Sequence, residues 1–140
     1  MRIFLDANIL FSAAKSAGAI RELLERALGD GHTLCADAYV AAEARKNIAI
    51  KHPEAMPELD ALMANVEQCP FLRHELPPDV AVLLAEKDRP VLAAAVRLGC
   101  GALVTGDRTH FGALYGRVVE GVAVHSPRTL AEALGFARKA

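Results

Sequence analysis

Ala102-Leu103-Val104-Thr105-Gly106-Asp107 is the stretch that decides the fold. Three apolar residues form a short buried strand. The chain then turns sharply and presents a carboxylate. The start of the sequence repeats the arrangement, with Arg2-Ile3-Phe4-Leu5 as an apolar strand and Asp6-Ala7-Asn8 directly behind it. Two strands that each run into an aspartate are what an open α/β sheet needs for a metal or ligand site, because ligands collect beyond the carboxyl ends of such strands.

Working outward, the segments between these strands read as helices. Ala7 to Ala14 is helical, and Ser16 or Gly18 breaks it. Ile20, Leu23, Leu24, Ala27 and Leu28 then recur at helical spacing, and Gly29-Asp30-Gly31 ends that helix. A second strand covers 32–36, and Asp37 caps a helix reaching about Lys51. Pro53 opens a helix over roughly 54–67 with Leu59, Leu62, Met63 and Val66 on one face. That stripe serves either a partner or the core. Residues 69–72 form a short strand, and 74–79 a polar connection.

An alanine-rich helix starts at Asp88-Arg89-Pro90 and ends at Gly99. After the 102–104 strand come a short helix near 108–114 and extended pieces at 118–119 and 122–124. Ser126-Pro127 starts a last helix reaching about Arg138, since serine caps and proline suits the first turn. Strands alternating with helices specify an α/β fold, with a central parallel sheet between two helical layers.

Composition narrows the class. A length of 140 residues suits one domain, spanning 1–140, and the 53% apolar content is ample for a core. No stretch approaches the roughly 18 apolar residues of a membrane span, and the N-terminus enters a strand without the pattern of a secretory signal. Cys35, Cys69 and Cys100 are widely spaced and form no CxxC pair. That argues against zinc and a disulfide framework and for reduced thiols in the cytoplasm. A net charge of −1 argues against a protein held on nucleic acid by counterion release alone.

Four acids carry the chemistry. Asp6 and Asp107 follow strands, Asp88 stands at a helix start, and Glu43 lies one helical turn from Tyr39, Val40, Lys46, Asn47 and Ile50. That neighbourhood is mostly apolar, so a carboxylate facing it needs a partner or a cation. Each acid has an ordinary alternative: Asp6, Asp88 and Asp107 as helix caps, Glu43 as a salt-bridge residue. Taken together they repel one another unless some are protonated or a cation sits among them. An all-oxygen set selects Mg²⁺ or Mn²⁺ over zinc and suits phosphate-ester chemistry.

The pieces Phe4-Leu5-Asp6-Ala7-Asn8-Ile9-Leu10, Glu43, Lys87-Asp88-Arg89-Pro90-Val91-Leu92 and Leu103-Val104-Thr105-Gly106-Asp107-Arg108-Thr109-His110-Phe111, in this order, resemble the PIN-domain family of metal-dependent nucleases. The resemblance runs along nearly the whole chain. It implies a three-layer α/β/α fold and a Mg²⁺- or Mn²⁺-dependent endoribonuclease. Asp6, Glu43, Asp88 and Asp107 would be its acidic residues, with Asp6, Asp88 and Asp107 on the metal. Asn8 and Thr105 would orient those acids or the metal waters.

Many small members resemble VapC-type toxins, which implies an antitoxin partner and a homodimer. Some members carry a further acid shortly after the position of Asp107, where this chain has Thr109 and His110. His110 then reads as a phosphate contact or as a structural histidine. Arg45, Lys46, Arg89 and Arg108 are beside the acids in sequence and are candidate phosphate contacts or solvated charges. Single-stranded or looped RNA is the implied substrate.

Two other classes remain in view. One is an inert PIN-like scaffold that binds RNA or a protein. The other is a phosphohydrolase with Asp6 as nucleophile, against which stands Asn8 where such enzymes want a second aspartate. A dinucleotide-binding domain is weaker still, since no glycine-rich loop follows the first strand.

Overall fold

The computed structural model describes residues 1–136. It has β1 (Arg2–Leu5), α1 (Ala7–Lys15), α2 (Ala19–Gly29), β2 (Thr33–Asp37), α3 (Ala38–Lys51), α4 (Met56–Met63), β3 (Val66–Cys69), α5 (Pro78–Ala81) and α6 (Arg89–Arg97). Then follow β4 (Ala102–Val104), α7 (Arg108–Phe111), β5 (Val118–Val119), β6 (Val122–His125) and α8 (Pro127–Ala133).

The sheet order is β3-β2-β1-β4-β6-β5. All pairings are parallel except β5 with β6, so the expected parallel sheet carries one antiparallel edge. From β1 the chain steps outward through β2 to β3, then returns to the opposite side of β1 as β4. Right-handed crossovers therefore put α1 to α4 on one face and α5 to α7 on the other. The reversal makes the β1–β4 boundary the topological switch point. In open α/β sheets ligands bind beyond the strand ends at such a point. Ile3, Phe4 and Leu5 pair with Ala102, Leu103 and Val104, so Asp6 and Thr105 leave the sheet side by side.

The paired strands are buried on both faces, with Phe4, Leu5, Leu103 and Val104 fully inaccessible. This is why they read as continuous apolar runs rather than alternating ones. One contiguous core joins them to Ile9, Leu10, Leu24, Ile48, Leu59, Leu92 and Phe111. Leu59 and Met63 belong to it, so the α4 stripe serves mainly the core. Cys35 and Cys100 are buried free thiols, whereas Cys69 is half-buried.

Three expectations need correction. Residues 54–67 are not one helix: a 3₁₀ turn over Pro53–Ala55 precedes α4, and Val66 already lies in β3. The strand expected at 69–72 is therefore β3 itself, shifted toward the N-terminus. The last helix stops at Ala133, because Gly135 adopts φ +80° and ends it before Arg138, which lies outside the described residues. Its start is as expected, with Ser126 Oγ accepting from Thr129 N–H at 3.2 Å and Thr129 Oγ1 accepting from Ser126 N–H at 3.0 Å.

Glu120 and Gly121 form the two-residue turn between β5 and β6, both with positive φ, 50° and 85°. Such a turn favours Asn-Gly, because a left-handed residue with a bulky side chain costs about 1 kcal/mol. Glu120→Asn is expected to raise stability by about 0.5 kcal/mol in urea unfolding with an unchanged m-value.

Candidate functional site

At the switch point Asp6 is 6% exposed. Its Oδ1 accepts from Ala7 N–H at 2.7 Å, capping α1, and its Oδ2 accepts from the Thr105 hydroxyl at 2.8 Å and from Asn8 Nδ2 at 3.4 Å. Asn8 Oδ1 in turn accepts from Gly106 N–H at 2.9 Å, and Thr105 Oγ1 accepts from Asp107 N–H at 3.2 Å. Asn8 and Thr105 thus tie the turn after β1 to the turn after β4. The two strand-terminal aspartates are held by one hydrogen-bonded network.

Burial pushes the Asp6 carboxyl up, the Thr105 and Ala7 hydrogen bonds pull it back, and the nearby charges of Glu43 and Asp88 raise it again, leaving it at about 6. Asp107 behaves oppositely. Burial works to raise it, but hydrogen bonds from the His110 backbone and ring outweigh that, and it settles below the usual carboxylate range.

Asp88 precedes α6 but does not cap it, for its side chain bonds no backbone N–H there. It is 8% exposed, and its Oδ2 is buried without a hydrogen-bond partner. Lys87 Nζ stands 4.0 Å from its Oδ1. A desolvated carboxylate oxygen left unpaired is costly unless something positive occupies the space beside it. Asp107 does cap α7, accepting from His110 N–H at 3.1 Å.

His110 closes the group. Its Nδ1 meets Asp107 Oδ2 directly and lies 3.5 Å from Asp88 Oδ2. Asp88, Asp107 and His110 each offer one ligand atom, all within 4.8 Å of one another. Sequence reasoning left the histidine between two minor roles. The signal was its i+3 spacing from Asp107, which puts both on one side of a helical turn.

Glu43 needs a correction in its surroundings. The apolar side of α3 is Val40, Ala44 and Ile48, and Glu43 is exposed. It lines an open cavity of about 330 Å³ with Tyr39, Ala42, Lys46 and Asn47, close enough for its charge to raise the carboxyl of Asp6. It stands at the rim, outside the tight cluster. Tyr39 joins the two regions: its hydroxyl donates to the Lys87 carbonyl at 2.7 Å, tying α3 to the turn that carries Asp88. Tyr39→Phe is expected to cost about 1 kcal/mol in chemical denaturation.

Two of the four candidate phosphate contacts have partners within the protein. Arg45 pairs with Asp60 on α4 at 2.7 Å, and Arg89 donates to the carbonyls of Ala81 at 2.8 Å and Leu84 at 3.2 Å. The Arg45 pair lies at the surface, whereas Arg89 is half-buried against those carbonyls. Lys46 and Arg108 are exposed and form no ion pair among the described residues.

A six-stranded α/β/α sheet with acids gathered at its β1–β4 switch point is a PIN-like architecture. No protein-family model and no curated relative matches the chain. Solved structures do. VapBC2 from Rickettsia felis, solved bound to a DNA fragment from its promoter, aligns with TM-score 0.67 at 17% identity over 90% of this chain and 98% of its own. VapBC-1 from nontypeable Haemophilus influenzae aligns with TM-score 0.60 at 14% identity, over 91% and 98% of the two chains. VapC20 of Mycobacterium tuberculosis, a sarcin–ricin loop cleaving toxin, aligns with TM-score 0.53 at 12% identity, over 79% and 94%. At such identities the likeness is one of fold.

Proposed function

We propose that this chain is a Mg²⁺- or Mn²⁺-dependent endoribonuclease and the toxin of a toxin–antitoxin pair. The observation that carries the reading is the pairing of Asp88 with Asp107, close enough to Asp6 for the charge of Asp88 to raise its carboxyl, with Asp88 Oδ2 buried and without a hydrogen bond. That oxygen fits a cation, and the carboxylate donors suit a hard one. The fold it shares with VapC20, a toxin that cleaves the sarcin–ricin loop, supports the same reading.

In this reading Asp6, Asp88 and Asp107 hold the ion. A bound divalent cation supplies charge neutralisation at the scissile phosphate and makes water more acidic. Asn8 and Thr105 keep the Asp6 oxygens aimed, and Thr105 also fixes the backbone of Asp107. Glu43, exposed at the rim, accepts the proton released by the attacking water or completes the ion's shell. Lys46 and Arg108 meet flanking phosphates of a single-stranded or looped RNA, whose backbone can reach a shallow site.

The partners follow from the same reading. An antitoxin accords with the VapBC complexes that share the fold. A homodimer accords with the exposed apolar side chains Phe71, Leu72, Val82 and Leu83. No helix among the described residues is long and apolar enough to cross a membrane, and the proposed location is the cytoplasm.

Purified protein incubated with a structured RNA pool tests the activity. Internal cleavage is expected with Mn²⁺ or Mg²⁺ and none in EDTA. Wild-type protein that binds Mn²⁺ and RNA yet leaves the pool intact would favour the inert scaffold. Cleavage undiminished in EDTA would remove the metal from the account.

A further inference from the structure

Resting on the metal-centre reading above, we infer that Tyr39 and Tyr115 are positioning residues for the cation. Each hydroxyl pins the main chain beside one of the acids, Tyr39 for Asp88 and Tyr115 for Asp107, so the two carboxylates are held together before any ion arrives.

The chain has only two tyrosines, and both use their hydroxyls in the same way. The Tyr39 hydroxyl donates to the Lys87 carbonyl at 2.7 Å, on the peptide that leads into Asp88. Val91 N–H, the amide that a regular helix would aim at Lys87, donates instead to the Asp88 carbonyl at 3.2 Å. The Tyr115 hydroxyl donates to the Thr105 carbonyl at 2.8 Å, two residues before Asp107. Thr105 is also the residue whose hydroxyl donates to Asp6 Oδ2 at 2.8 Å and accepts from Asp107 N–H at 3.2 Å. One phenol therefore steadies the residue that touches both strand-terminal aspartates.

Both phenols stand on anchored backbone. Tyr39 lies in the first turn of α3, which Asp37 caps by accepting from Val40 N–H at 3.2 Å. Tyr115 is followed by Gly116, whose N–H donates to the Val124 carbonyl of β6 at 3.0 Å. The acids come from three segments: the turn after β1, the start of α6 and the turn after β4. Asn8 links the first to the third. Tyr39 ties the second to α3, and Tyr115 ties the third to the chain beside β6.

Burial pushes both hydroxyls up. Nearby carboxylates push them further, Glu43, Asp88 and Asp6 for Tyr39 and Asp107 for Tyr115. Both phenols therefore keep their protons across the neutral range and remain donors. Carboxylates that repel one another bind an ion best when the protein already holds them at its spacing, because the ion then does not have to order them.

An ordinary stabilising hydrogen bond predicts lost stability alone when the hydroxyl is removed. A positioning role also predicts weaker ion binding by protein that is still folded. Calorimetric titration of the full-length protein with Mn²⁺, below the onset of melting, separates the two. Tyr39→Phe and Tyr115→Phe are each expected to bind Mn²⁺ roughly tenfold more weakly, the lower end of losses when an outer partner of a metal site is removed. RNA cleavage by each should fall at low Mn²⁺ and recover as Mn²⁺ is raised. Ile48→Val, a truncation in the buried core farther along α3, should loosen the fold comparably and keep the wild-type affinity. Unchanged Mn²⁺ affinity in either tyrosine variant overturns the inference for that residue, and an equal loss in Ile48→Val overturns it for both. In each case the metal centre stands. Wild-type protein that takes up no Mn²⁺ overturns the inference and the metal-centre reading together.

Discussion

Asp88→Asn is expected to reduce RNA cleavage at least a hundredfold while leaving the fold intact. Disturbing a metal site's outer shell alone costs about 10–100-fold, so loss of a ligand carboxylate should cost no less. Asparagine has nearly the same shape and keeps one oxygen in place. The position demands little else of the side chain, because Asp88 does not cap α6 and its Oδ2 accepts no hydrogen bond, with only the longer contacts to His110 and Lys87 beside it. Replacing a buried, unpartnered carboxylate by an amide also removes a desolvated charge, so melting temperature should hold or rise. Cleavage of a structured RNA pool in millimolar Mn²⁺, measured beside a thermal melt, checks both halves. Equal cleavage by variant and wild type would assign the activity to another site. A collapsed melt would mean that Asp88 is structural.

Asp6→Asn should do the reverse of an ordinary active-site loss: in EDTA near neutral pH it is expected to stabilise the protein. The Asp6 carboxyl titrates at about 6 in the fold against 3.8 in a free chain, chiefly because it is buried. Below the lower value both folded and unfolded chains hold the proton, and no penalty exists. As pH rises past it the unfolded chain ionises first, so stability declines through the window between the two values. Above about 6 the full cost stands, about 3 kcal/mol at 1.36 kcal/mol for each pH unit. Asparagine keeps an acceptor for Ala7 N–H or the Thr105 hydroxyl and carries no charge. The variant's advantage should therefore be greatest above pH 6 and vanish near pH 4. Urea titrations across that range measure it, and an advantage independent of pH would exclude Asp6 ionisation as its source.

The two aspartate-ending strands were readable because β1 and β4 are adjacent and buried on both faces, which makes their sequences apolar throughout. The caps at Asp37 and Ser126 were equally readable, since capping is a local interaction. The edge strand was not. Val66-Glu67-Gln68-Cys69 has one buried residue, and Glu67 is there to pair with Arg2 of β1 at 2.6 Å, a contact between residues distant in sequence.

The partners of two cations were hidden for the same reason. Proximity to an acid in sequence says nothing of Asp60, which takes Arg45, or of the carbonyls that take Arg89. Glu43 was placed near the right acids by a faulty argument about its helix face. Ile50, used there as an apolar neighbour, is itself exposed. His110 needed the turn at Asp107 and the start of α6 to be brought together, which only the tertiary fold does.

The measurement that bears most directly on the central claim is a pair of melting curves at pH 7.5, wild type and Asp6→Asn, each in EDTA and in millimolar Mn²⁺. If the acids at the switch point are a cation site, the variant melts higher in EDTA. Mn²⁺ should then raise the wild type by several degrees and the variant far less, because only an ion bound by the folded state offsets the repulsion among the carboxylates. A wild-type melting temperature that Mn²⁺ does not move would contradict the account, since these buried carboxylates would then have no cation to hold.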